Sequence, residues 1–178
     1  MGKLDFLMRY AEAGRHYDGN KIADEVMQGD SPSAKVSVLH SYFSNEKHVA
    51  IAIHDESAYV RGAAALHSKA TKEHLDTLLQ DHNEVVRSKA ARNPNLTSDQ
   101  IHKAMNDPDT YVQAKAAANP SATPEHIEMA LTSRHPEVRM AAMRHDSISR
   151  DRMIKFRDEE PDSYIRSVAD AQLMWRKS

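Results

Sequence analysis

A period constrains this chain more than any other feature. Val60, Val86, Val112 and Val138 follow one another at intervals of 26 residues. Around them one phrase returns. Asp81, Val86, Arg87, Ala90, Ala91, Asn93 and Pro94 are answered by Asp107, Val112, Gln113, Ala116, Ala117, Asn119 and Pro120. A second column holds the same register independently. Asn45, Thr71, Thr97, Thr123 and Ser149 are also 26 apart, and all five are residue types that cap helix N-termini by accepting first-turn N–H groups. Self-similarity at this period predicts stacked supersecondary units, none of which can bury its apolar face alone.

Each unit reads as two helices. The first carries Val-Arg and the Ala-Ala pair, with Val86, Ala90 and Ala91 on one face. The Asn-Pro pair ends it, because proline drives the preceding residue out of helical space. The second begins at the Thr or Ser cap and is short, as from Thr97 to Met105, where Gln100 completes a capping box. Pro124 follows Thr123 at the favoured first helical position. The expected boundaries are a helical cap over 1–28, units 29–54, 55–80, 81–106, 107–132 and 133–158, and a capping helix over 159–178. The N-terminal cap includes an amphipathic helix from Lys3 to Ala13 ended by Gly14, then a short helix from Asn20 to Met27. The period weakens at Ala34-Lys35, where Val-Arg would stand. It slips by one residue before Ile165-Arg166.

Composition agrees with an all-α fold. The chain has 178 residues, is 40% hydrophobic but only 6% aromatic, and contains five glycines, too few for a turn-rich β fold. The net charge of −2 gives no global attraction to nucleic acid or membrane. Residues 55–132 hold 8 cations against 11 anions, and residues 133–178 hold 10 against 8, so the C-terminal end is the basic one. There is no cysteine, which excludes disulfides, thiolate metal sites and cysteine nucleophiles and accords with a cytoplasmic setting. No signal peptide or membrane span is expected.

The phrase over residues 107–125, Asp-Pro-Asp-x-x-Val-x-x-x-Ala-Ala-x-Asn-Pro-x-x-Thr-Pro-Glu, resembles the leucine-rich repeat variant family and the wider HEAT-like α-solenoids. The resemblance covers roughly residues 30–166. It implies a right-handed α-solenoid of about five two-helix repeats, with 3-10 character in the second segment. It also implies a binding scaffold rather than a common activity. A cysteine-bound iron–sulfur centre known in the variant family does not carry over to a chain without cysteine.

Three sets of residues are candidates for partner contact. The column Lys35, Arg61, Arg87, Gln113, Arg139 and, one residue late, Arg166 becomes a stripe when units stack. It could track phosphates or an acidic ridge. The alternative comes from the HEAT-like resemblance, in which a turn aspartate pairs with this arginine; Asp55, Asp81 and Asp107 recur in that place. The column His48, His74, Gln100, His126 and Arg152 is either a polar rim for a partner or a set of ordinary solvent-facing residues. Trp175, in the run Leu173-Met174-Trp175, is either an interface anchor or part of a terminal seal.

No metal or cofactor is expected. Eleven histidines are present, but none forms an HExxH pair. No nucleophile elbow, P-loop or dinucleotide turn is present. Some HEAT-like folds are DNA glycosylases with an aspartate beside groove aromatics, and no such cluster is visible here. The expected function is therefore a non-enzymatic protein-binding scaffold, with nucleic-acid binding through the arginine column and the basic C-terminal end, where Arg144, Arg150, Arg152, Lys155 and Arg157 gather, as the alternative.

Overall fold

The computed structural model describes residues 18–175. The expected helix from Lys3 to Ala13 lies outside them. Among the described residues there are twelve helices and no strand. The first, α1, spans Gly19–Met27. First helices of successive units follow as α2 Pro32–Leu39, α4 Ala58–Ala65, α6 Glu84–Ala91, α8 Thr110–Ala117, α10 Pro136–Met143 and α12 Ser163–Trp175. Between them lie the second helices, α3 Glu46–Ala52, α5 Lys72–Leu78, α7 Ser98–Met105, α9 Pro124–Leu131 and α11 Arg150–Glu159. From α2 to α11 both series start at intervals of 26 residues; only α12 starts one residue late.

The second helices begin where the capping column predicts. Asn45, Thr71, Thr97, Thr123 and Ser149 are their N-caps, each with extended backbone. They differ from the resemblance in one respect, since α3, α5, α7, α9 and α11 are α-helical rather than 3-10. The capping boxes satisfy backbone donors at the start, which allows a full α turn even in seven or eight residues.

The core is one continuous column of small and medium side chains. Val60, Val86 and Val112 are completely buried, as are Ala64, Ala90 and Ala116 on the following turn. Second helices contribute Val49, Leu75, Ile101, Ile127 and Met153. First helices pack directly on the first helices of neighbouring units, α4 on α6, α6 on α8 and α8 on α10. Second helices scarcely touch one another. The alanine pairs explain the difference, because small side chains let first-helix backbones approach.

Helix α1 behaves as the second helix of a preceding unit. Asp24 accepts from His48 across 24 residues, as Glu128 accepts from Arg152 across the same interval. The cap is thus built in register with the array.

Candidate functional site

Most polar columns are used to hold units together. The arginine column is a ladder. Arg61 donates from Nε and Nη2 to the two carboxylate oxygens of Asp81, at 2.6 and 3.0 Å. Its Nη1 donates to the carbonyls of Asp55 and Glu56 in its own unit. Arg87 repeats this with Asp107, at 2.8 and 3.1 Å, and with the Asp81 carbonyl. Arg139 does so with Glu160 and the Ser133 carbonyl. Lys35 serves as the first rung by donating to Asp55 at 2.6 Å. Each guanidinium thus clips the turn of its own unit to the acid of the next, a bidentate geometry that lysine cannot reproduce.

The rungs also set local electrostatics. Burial alone would raise the Asp81 carboxyl. The Arg61 bonds and the Asn83 N–H outweigh that and hold it below the ordinary carboxylate range. Glu160 is held low in the same way by Arg139 and the Asp162 N–H.

Two rungs are incomplete. Gln113 keeps the intra-unit bond, from Nε2 to the Asp107 carbonyl at 2.7 Å, but Ser133 stands where the acid would be. Gln113 and Ser133 line a cavity of about 260 Å³ with Met105, Met129 and Val138. Arg166 keeps its bonds to the Glu160 and Pro161 carbonyls and is exposed, with no acid facing its fork among the described residues.

The histidine column has a different job from either sequence reading. Nδ1 of His48, His74 and His126 accepts the backbone N–H of Asn45, Thr71 and Thr123 respectively, at 3.3, 3.2 and 3.1 Å. Gln100 does the same for Thr97 through Oε1 at 3.0 Å. Imidazole nitrogen thus substitutes for the Glu or Gln of a capping box. With Nδ1 accepting, the His48 proton sits on Nε2 and donates to Asp24 at 2.8 Å. His126 is buried, and its pKa is lowered by that burial and by the nearby His102. Arg152 in this column binds Glu128 with both arms, at 2.6 and 2.7 Å.

A third internal ladder was not anticipated. Asn93 donates to the carbonyls of Ala65 and His67, and Asn119 to those of Ala91 and Asn93. The Asn of the Asn-Pro pair therefore does more than precede a helix breaker. It closes the C-terminus of the preceding unit's first helix.

At the C-terminal end, Leu173 is buried, whereas Met174 and Trp175 are 82% and 86% exposed. Leu173 alone of the three seals the last unit. Of the basic residues nearby, Arg152 pairs with Glu128, Lys155 with Glu159, and Arg157 with Asp158 and Asp170.

One face carries a column of exposed side chains outside the three ladders. The position before each buried valine holds Tyr59, Val85, Tyr111 and Glu137, and the shifted last unit places Tyr164 there. Tyr59, Val85, Tyr111 and Tyr164 are 59%, 49%, 57% and 63% exposed. One turn further along the same helices stand Lys89 and Lys115, and at the helix ends Leu66, Arg92 and Arg144. Positions i, i+4 and i+7 share a helix face. The Lys89 ammonium lies 5.9 Å from the Tyr59 ring centre, across the boundary between units. Gly62 permits this crossing, since a β-carbon there would meet Lys89 Nζ at 2.9 Å. Lys115 covers its own unit's Tyr111 at 4.3 Å.

The sequence carried a signal for this column. A large apolar residue recurring beside a buried valine cannot share the valine's burial, because adjacent helix positions point about 100° apart.

No group of three or more potential metal-ligating side chains is present among the described residues. No helix among them is long and apolar enough to cross a membrane.

No protein-family model matches the chain, and no curated protein does. Among solved structures, one described as a leucine-rich repeat variant with a novel repetitive structural motif is similar over 88% of this chain and 72% of its own. The identity is 17% and the TM-score 0.38.

Proposed function

We propose that the chain is a non-enzymatic scaffold that binds a partner protein across its first-helix face, in a reducing cytoplasmic setting. The observation that carries this reading is the register of the exposed apolar side chains. Tyr59, Val85, Tyr111 and Tyr164 occupy one column of the repeat. A periodic apolar stripe on a rigid layer is what a binding face needs, and folding gains little from leaving it exposed. Arg61, Arg87, Gln113, Arg139, Arg166, His74, His126 and Arg152 all make bonds within the fold, so contact with a partner falls more naturally to the tyrosine column. Trp175 extends the exposed apolar surface at the C-terminal end.

Nucleic-acid binding draws less support, because Arg61, Arg87 and Arg139 already share their charge with carboxylates. The test is capture by the immobilised chain from a native cytoplasmic extract, followed by binding with purified components. Saturable binding of a protein, with little dependence of log affinity on log salt, is the expected result. Recovery of nucleic acid alone, with the steep salt dependence of counterion release, would replace this reading with the other.

A further inference from the structure

We propose that the first-helix face binds an extended acidic segment of a partner protein, resting on the scaffold reading above. Carboxylates would meet Lys89, Arg92, Lys115 and Arg144, and apolar residues would lie on Tyr59, Tyr111 and Leu66. The whole chain carries −2, yet Glu84 and Glu137 are the only acids within α4, α6, α8 and α10. Arg92 and Arg144 are exposed and make no ion pair or hydrogen bond among the described residues, and the hydroxyls of Tyr59 and Tyr111 donate to none of them. Each Tyr–Lys pair therefore presents an O–H and an ammonium as neighbouring donors, which is the complement of a carboxylate.

Spacing fits an extended peptide in the polyproline II conformation. Neighbouring first helices stand about 8–10 Å apart, and one three-residue turn of such a chain covers about 9 Å and returns a side chain to the same side. Every third residue of the partner would meet an equivalent site in successive units. Base stacking fits less well. Lys115 covers one face of the Tyr111 ring and Lys89 stands over Tyr59, so a flat nucleobase cannot stack on those faces, whereas an apolar side chain can pack against a ring edge.

The face runs into a cavity of about 700 Å³ at its N-terminal end, lined by Leu39, Phe43, Ser44, Ala63, Leu66 and Lys69. Ser44 is 3% exposed and its Oγ has no hydrogen-bond partner. A buried hydroxyl left unpaired beside a cavity of mixed polar and apolar lining suits an anchor residue that brings its own polar atom.

The test is fluorescence anisotropy with three labelled probes on the intact chain. One is a synthetic peptide repeating leucine, aspartate and glutamate; one is its lysine counterpart; one is an oligothymidylate. The acidic peptide is expected to bind and the other two are not. Lys89→Glu with Lys115→Glu, and separately Tyr59→Ser with Tyr111→Ser, should each weaken it by about tenfold or more. Lys103→Glu on the second-helix layer should leave it unchanged. All are exposed or half-exposed positions, and retained thermal unfolding confirms the fold. Tighter binding of the oligothymidylate overturns the proposal, as does an acidic peptide that fails to bind or ignores both double variants. A captured protein that binds the chain but is indifferent to these variants sinks this proposal alone and leaves the scaffold reading standing.

Discussion

Arg139 grips both carboxylate oxygens of Glu160, at 2.8 and 2.7 Å, across 21 residues where Arg61 and Asp81 span 20. The extra residue that delays α12 is absorbed by the extra methylene of glutamate over aspartate. Both partners are buried, so removing one leaves an uncompensated charge. Glu160→Gln is expected to lower unfolding free energy by about 3 kcal/mol, read as a shift in urea midpoint at constant slope. Glu160→Asp should fall between wild type and Gln, since the charge remains but the reach does not.

The broken rung at Gln113 and Ser133 offers the converse experiment. Gln113→Arg alone places a guanidinium beside Ser133 with no acid to bind, and Ser133→Asp alone places an acid with no base. Together they should rebuild the rung and fill part of the adjoining cavity. A double-mutant cycle is expected to give a favourable coupling of about 1 kcal/mol. Additive single effects would mean that the backbone here has lost the geometry of a rung.

Acid should loosen the array in two stages. His126 has a lowered pKa, so the unfolded chain takes its proton first as pH falls below about 6.5. The stability His126 contributes is complete above that value and declines below it. A proton on Nδ1 would also face the Thr123 N–H and break the cap. Asp81 and Glu160 have lowered values too, so their contribution holds above about pH 4 and is lost as pH drops through their folded values. His126→Gln copies the arrangement of Gln100. It is expected to change stability at neutral pH by less than about 1 kcal/mol and to flatten the curve between neutrality and about pH 5. Urea midpoints over a pH series measure both; an unchanged slope would place the titrating group elsewhere.

Asn119 donates to two carbonyls of the preceding unit from a side chain that is 1% exposed. Asn119→Ala leaves both acceptors buried and short of a donor. The expected cost is about 2 kcal/mol, with faster amide exchange in α6 and α8 than in α2. Uniform exchange across the first helices would show that the ladder is not what couples neighbouring units.

Repetition made the fold legible. Val60 through Val138 fix the inward face, and Asn45 through Ser149 fix where second helices start. The site was harder to read, because one column of residues can serve either a ladder or a partner. Arg61 looks the same in sequence whether its fork meets Asp81 or solvent, and only stacking decides. His74 and His126 looked like surface residues because imidazole is not the usual capping-box side chain. The tyrosine column is faint in sequence because Tyr59 and Tyr111 are interrupted by Val85 and Glu137, so it has a shared exposure without a shared residue type.

The ladders have a direction. Arg61 reaches forward to Asp81, and the Ala65 carbonyl waits for Asn93. Each unit is completed by the one synthesised after it. On a ribosome, a newly emerged unit such as that of Arg61, Arg87 or Arg139 would hold an unanswered guanidinium until the next 26 residues followed. The nascent chain would advance with a single unfinished edge, and a pause in translation would expose that edge and nothing behind it.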